Sequence, residues 1–379
     1  MKLIDSKSTC RLLAALMMSA SGASAADTAT PSKLPPPDAK PADMSKPVKV
    51  FLILGQSNAV GLGSVAGDKP GTLENAVKTE KLYPFLVDDG GNWVERMDVR
   101  NVQVMVGKGG GMSLLHNEWM TVKGRTMGVE YGVGHPLGDA IDEPVMVLKS
   151  CIGNRSLGWD LLPPGSERYL AEIPDKSGAI TQKVVAGYKE KPDMWDADPA
   201  KGLATEPPPF VDKTGKPIDW YAGKQWDDDI ANAKKVLSEL GTYYPEATKY
   251  EVAGFFWWQG EKDAGNAAHA ERYEQNLVKL IKSLRKEFNA PKAKFVMGTI
   301  GEVTQETTGN GGKILQAMMA VDGKSGKYPE FKGNVATVYT HDMARGGGGN
   351  GHYGKDSRVY MDVGLAMGET MNQLLKAGK

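Results

Sequence analysis

A three-layer α/β fold built on a mostly parallel sheet is what this chain predicts, and three observations carry that prediction. Short β-rich apolar runs recur at residues 48–54, 102–106, 144–148, 252–257, 293–300 and 334–339, mostly without polar alternation, as strands covered on both faces require. Helical patterning falls between them, most clearly over residues 267–288, where Tyr273, Leu277, Leu280, Ile281 and Leu284 form one stripe with Lys, Arg and Glu opposite. The chain is also large enough for a sizeable core, with 379 residues of which 41% are hydrophobic. Its 46 Lys and Arg balance 46 Asp and Glu, without the basic concentration that phosphate binding needs, so a nucleic-acid partner is excluded. No apolar run approaches the roughly 18 residues of a membrane-spanning helix.

Taken in order, residues 1–25 read as a signal peptide. Lys2, Lys7 and Arg11 precede a short apolar run, and Ala23-Ser24-Ala25 supplies the small residues of a cleavage site. This implies export to the periplasm or the cell exterior and leaves Cys151 as the only cysteine of the mature chain, so no internal disulfide forms. Residues 26–47 are proline-rich and poor in large apolar side chains, a disordered, solvated leader. The domain spans 48–379. Its first strand stops at Gly55, weaker helical patterns lie at 228–240 and 363–375, and Asn289-Ala290-Pro291 marks the exit of the long helix. Residues 158–226, with Trp159, Trp195, Trp220 and Trp226 among several prolines, break the alternation and read as a loop-rich insertion near a substrate mouth; the tryptophans either face that mouth or cap the core.

In such sheets the working residues sit beyond the carboxyl ends of strands, and the polar motifs fall there. Gln56, Ser57 and Asn58 (GQSN) follow the first strand. A serine at a strand-to-helix corner is sterically suited to nucleophilic attack, although the same residues also suit a turn or helix cap. Gly153, Asn154 and Arg155 follow another strand and offer a backbone N–H, an amide and a cation, while Cys151 beside them reads as packing. Trp258-Gln259-Gly260-Glu261-Lys262-Asp263 closes a third. Gln259 can polarise a carbonyl, and Glu261 and Asp263 can orient a base or cap the next helix. Of the histidines, His352 lies in a glycine-rich loop able to reach a distant serine and His341 is the second candidate base. His269 reads as solvent-facing at a helix start and His135 as a loop residue before a buried helix. No Cys/His cluster supports zinc and no phosphate-binding loop is complete.

GQSN, Gly153-Asn154, WQGEKD and the late His352 together resemble the SGNH/GDSL hydrolase superfamily, and within it the sialate O-acetylesterase and carbohydrate esterase family 6 branch. The resemblance implies a flavodoxin-like sheet of about five parallel strands and a serine esterase that removes O-acetyl groups from a glycan, such as xylan or sialic acid, with no cofactor or metal. It implies Ser57 as nucleophile and His352 as base, with an oxyanion hole from Ser57, Gly153 and Gln259. Gln56, Asn58, Asn154 and Arg155 would contact substrate. Many relatives carry an aspartate three residues before the histidine; here that position is Gly349, which leaves the orienting acid to Glu261 or Asp263, to Asp342 or Asp356, or to a backbone carbonyl. A non-catalytic carbohydrate-binding protein and a hydrolase of another ester type are the alternative readings.

Overall fold

The computed structural model describes residues 34–37, 40–174 and 177–378; the signal peptide expected at 1–25, and the leader as far as residue 33, lie outside them. The first apolar run forms β1 (Val48–Gly55), the centre of a seven-stranded sheet. The chain then forms β2 (Arg96–Val106) and β3 (Met112–Met120), and returns after a helix as β4 (Val145–Ser150) between β1 and β2. On the other side of β1 lie β8 (Tyr250–Trp258), β9 (Lys294–Gly298) and β10 (Val335–Val338) in succession. The order β10-β9-β8-β1-β4-β2-β3 is parallel throughout except for the β2–β3 hairpin at the edge.

Seven strands, one of them antiparallel, correct the expectation of about five. The overlooked one is β3, whose side chains are mostly half-exposed, as an edge strand covered on one side permits. The other strands bury both faces. Along β1, Val50, Leu52 and Leu54 enter one core while Phe51 and Ile53 enter the other. Helices α3 (Lys224–Ser238), α6 (Ala267–Glu287) and α7 (Gly309–Val321) cover the first face; α2 (Glu130–Ala140) and α8 (Ser357–Ala377) cover the second. The molecule is therefore three layers, α/β/α.

Helix α2 starts earlier than the buried helix expected after His135. Its three glycines and internal Pro136 give it poor intrinsic propensity, which packing against α8 and the sheet overrides. His135 accordingly lies inside a buried helix, not in a loop before one, and burial beside Arg96 drives its pKa well below the ordinary value. Within the region expected to be loop-rich, residues 169–196 form a small antiparallel sheet of β5 (Tyr169–Pro174), β6 (Ile180–Val185) and β7 (Met194–Asp196). Trp159 and Trp195 join a satellite apolar cluster under this sheet, whereas Trp226 belongs to α3 and the main core. Leu34 and Met44, in the described part of the leader, pack against the core.

Candidate active site

The strand order reverses direction at β1, and the crevice beyond the carboxyl ends of β1, β4 and β8 is where open α/β sheets bind ligands. Ser57 opens α1 (Ser57–Val60), a single turn that follows β1 through Gly55 and Gln56. Gly55 has φ +144°, and a Cβ there would overlap the carbonyl of Trp258, so only glycine lets the ends of β1 and β8 come this close. Below this turn Lys149, fully buried on β4, donates to Val60 O at 2.7 Å and to Glu130 Oε2 at 2.6 Å, fixing the far end of α1.

A cavity of about 1020 Å³ opens over Ser57. Gly153 stands beside the serine, so that a Cβ on it would lie 3.3 Å from Ser57 Cβ. Gln56, Asn154, Arg155, Glu261 and His352 also line the cavity, which brings together the residues expected from three separate motifs and the late histidine loop. Cys151 is buried, and burial pushes its thiol pKa up, in keeping with packing. The runner-up base, His341, lies outside the cavity lining and donates Nδ1–H to Gly301 O at 2.8 Å.

Three of the expected site residues, Gln259, Asp263 and Asn58, are fully buried and hydrogen-bonded within the protein. Gln259 is fully buried; its amide nitrogen donates to Asp263 Oδ2 at 2.6 Å and Arg155 O at 3.0 Å, and its Oε1 accepts from Tyr273 at 2.9 Å. Both of its stronger N–H bonds end inside the protein, so it braces the site and offers no donor to an oxyanion. Asp263 accepts Leu157 N and Gly158 N, each at 2.8 Å, besides Gln259, and so ties the 155–158 loop to α5 (Glu261–Ala264). Asn58 is fully buried and bridges Glu261 Oε1, at 2.6 Å, to Gly349 O, at 3.3 Å, while accepting from Tyr360; it holds the histidine loop and touches no substrate space.

Gln56 has the opposite character. Its Oε1 accepts the backbone N–H of Lys262 at 3.2 Å, a partner that can only donate, so the amide orientation is fixed and Nε2 is left for the cavity that Gln56 lines. Glu261 has one oxygen on Asn58 and the other buried without a partner. Burial, with the charges of Glu302 and Asp263 adding to it against its own backbone N–H and Asn58, pushes its pKa up to about 7. Of the acids in the histidine region, Asp356 is spent capping α8 and pairing with Arg358, and Asp342 is exposed.

The insertion supplies the facing wall, with Trp159, Phe210, Ile218 and Trp220. Arg155 stacks on Trp220 at 4.7 Å and bonds Gln225, while Trp220 Nε1 donates to Asp160 Oδ1 at 3.1 Å. Asp160 in turn accepts Ser156 N at 2.8 Å. His269 is not solvent-facing as expected. It is buried against the cavity and pairs through Nε2 with Asp193 of the insertion at 2.9 Å. Burial opposes its charged form, but the Asp193 bond and the charges of Asp193, Asp263 and Asp160 outweigh it and hold its pKa above the ordinary value. A signal was present, since His269 lies four residues before Tyr273 on the buried stripe of α6. Among the described residues no group of three His, Cys, Asp or Glu could hold a metal ion.

Residues 212–373 match the family model described as carbohydrate esterase, sialic acid-specific acetylesterase. No curated protein sequence matches the chain. Among solved structures, a protein from Arabidopsis thaliana is similar at 14% identity and a TM-score of 0.44, over 86% of this chain and 98% of that one. NanS is similar at 12% identity and a TM-score of 0.39, over 79% of each chain. A carbohydrate acetylesterase from Xanthomonas citri, XAC1771, is similar at 14% identity and a TM-score of 0.40, over 78% of this chain and 50% of that chain.

Proposed function

We propose that the protein is a serine esterase of the carbohydrate esterase, sialic acid-specific acetylesterase family, removing O-acetyl groups from a glycan on an SGNH-type variant of the three-layer fold. The observation that carries the reading is the convergence of Ser57, Gly153, Glu261 and His352, from four separate segments, on one cavity at the point where the strand order reverses. The family match over residues 212–373 takes in both Glu261 and His352.

In this mechanism His352 removes the Ser57 proton as Oγ attacks the acetyl carbonyl. The oxyanion is met by the backbone N–H groups of Ser57 and Gly153, with Gln56 Nε2 as third donor in the place expected for Gln259. The protonated His352 returns its proton to the departing sugar oxygen; it then activates water to attack the acetyl-serine, releasing acetate and restoring Ser57. Glu261, with its unpartnered oxygen, is the acid of the middle motif left to orient the imidazole. Asn154, Arg155 and the indole rings of Trp159 and Trp220 bound the sugar side of the cavity, whose volume suits an acetylated oligosaccharide better than a single small ester. The signal-peptide pattern of residues 1–25 supports a site of action in the periplasm or outside the cell.

The test is acetate release by the purified protein from acetylated xylan and O-acetylated sialic acid, with Ser57→Ala and His352→Ala alongside. Both substitutions should remove turnover with the fold intact, and the wild type ranks the two glycans. Saturable glycan binding without acetate release, from these or from a small activated ester, would overturn the esterase in favour of a carbohydrate-binding protein.

A further inference from the structure

The loop that carries His352 is held by a residue from an unexpected place. Glu302 follows the carboxyl end of β9, and its Oε2 accepts the backbone N–H of Gly349 at 2.6 Å. Gly349 is the position where the esterase family resembled by this chain commonly carries an aspartate. A Cβ built on it would lie 2.6 Å from Glu261 Oε1 and 2.6 Å from Glu302 Oε2. The space that an aspartate side chain would enter is thus already filled by two carboxylates, one from α5 and one from the loop after β9. Glycine at 349 leaves room for both, since a Cβ there would make one or both carboxylates shift.

The same contacts define the segment. Asn58 holds Gly349 O, Glu302 holds Gly349 N, and Tyr353 stacks on Trp258 with centroids 5.6 Å apart and planes within 9°. The Tyr353 hydroxyl accepts Gly301 N at 3.3 Å, so the residue beside Glu302 also clasps the loop. His352 and Tyr353 both have positive φ, 52° and 51°, a backbone state that side chains with a Cβ hold only when their surroundings impose it. The His352 ring, by contrast, has no hydrogen-bond partner among the described residues, so the direction of the imidazole depends on where this backbone is held.

We propose that Glu302 is a positioning residue for His352: it clamps the histidine loop through Gly349 N–H and, with Glu261, supplies the negative charge that an aspartate at 349 would otherwise bring. The proposal rests on the esterase reading for its catalytic part, and the clamp itself is measurable without turnover. The groups facing the two carboxylates are Asn58 from α1, Asp263 from α5, Tyr353 and Gly349 from the loop and Tyr360 from α8, and among the described residues neither carboxylate forms an ion pair.

Glu302→Ala, Glu302→Gln and Glu302→Ala combined with Gly349→Asp test it, using a small acetate ester and amide hydrogen exchange of the full chain. Glu302→Ala should lower kcat roughly a hundredfold with little change in KM, as displacement of a catalytic group does, and should speed exchange across residues 348–354. Glu302→Gln keeps an acceptor for Gly349 N and removes one of two neighbouring charges. It should retain most of kcat while moving the acid limb of kcat/KM to lower pH, because Glu261 then ionises more readily. The added aspartate should restore at least tenfold of the lost kcat. Unchanged exchange and unchanged kcat in Glu302→Ala would overturn the proposal, as would a loss that the aspartate does not recover and that comes with lowered stability of the whole fold. If the wild type releases no acetate yet Glu302→Ala still speeds exchange at the loop, the clamp stands and the esterase reading falls.

Discussion

Replacing Glu261 by glutamine should stabilise the protein in mild alkali and leave it almost unchanged in mild acid. The side chain is 4% exposed, one oxygen has no partner, and its pKa in the folded chain is pushed up to about 7 from an ordinary 4.5. For a carboxyl raised in this way the sign is the reverse of that for a salt-bridged acid. Below pH 4.5 the group is protonated in both states and contributes nothing. Between that pH and about 7 the unfolded chain ionises first, so stability falls as pH rises, and above about 7 the whole penalty, roughly 3 kcal/mol, is present. Glutamine keeps an oxygen for Asn58 Nδ2, places a donor where the bare carboxylate oxygen lies, and carries no charge beside Glu302. Urea unfolding of both proteins at pH 4.5 and pH 8.5 reads the effect directly. The stability difference should grow by roughly 3 kcal/mol between the two conditions, about 1 M or somewhat less in midpoint for a chain of this size. A difference that is the same at both pH values would refute the reasoning, since Glu261 would then ionise as it does in the unfolded chain. The activity of Glu261→Gln should fall in the same experiment, so stability and turnover move in opposite directions at a residue that burial makes costly to keep.

Three further outcomes follow from the contacts around the site. Lys149→Met should cost about 3–5 kcal/mol in chemical denaturation, because it strands Glu130 as an unpaired buried carboxylate, and adding Glu130→Gln should recover most of the loss. Asp193→Asn should reduce stability most at low pH: a histidine raised by its partner stabilises fully below its ordinary value of 6.5 and loses that contribution as pH rises through its folded value, so the gap from wild type should narrow between pH 6 and pH 9. Trp220→Ala removes the ring under Arg155 and the Asp160 bond, and it should raise KM for an acetylated oligosaccharide roughly tenfold, about 1.4 kcal/mol, while leaving hydrolysis of a small acetate ester near the wild-type rate.

How much of this was legible in the sequence depends on the physical origin of each feature. Strands buried on both faces write themselves as contiguous apolar residues, so β1, β4 and β8–β10 were placed within a few positions. The edge strand β3 and the start of the glycine-rich α2 were not, because one is polar on its open side and the other is helical only by virtue of what it packs against. At the site, the rule that polar residues beyond strand ends do the work brought Ser57, Gly153 and Glu261 into view. It could not say which of several polar neighbours point outward. Gln259 and Asp263 are neighbours of Glu261 in sequence, yet they spend their hydrogen bonds on the 155–158 loop, and only the orientation of each amide and carboxylate decides that. Glu302 was missed although it follows the predicted strand 293–300 by two residues, because nothing local marks it; its partner is Gly349, 47 positions away.

Three acids also explain why the insertion and the floor of the cavity form one surface. Asp263 ties the 155–158 loop to α5, Asp160 continues from that loop to Trp220, and Asp193 crosses from the insertion to His269 on α6. Each link runs from a carboxylate to a donor on another segment, so the aromatic wall is positioned by the same elements that carry Glu261 and flank Ser57. The insertion's apolar satellite cluster stands under its own sheet and is separate from the two main cores. Changes at Phe210 or Ile218 therefore act on what the cavity admits, whereas changes at Asp160 or Asp193 release the wall itself. On the esterase proposal, substrate range and chemistry are thus separable at the side chains facing the cavity, and inseparable at the acids behind them.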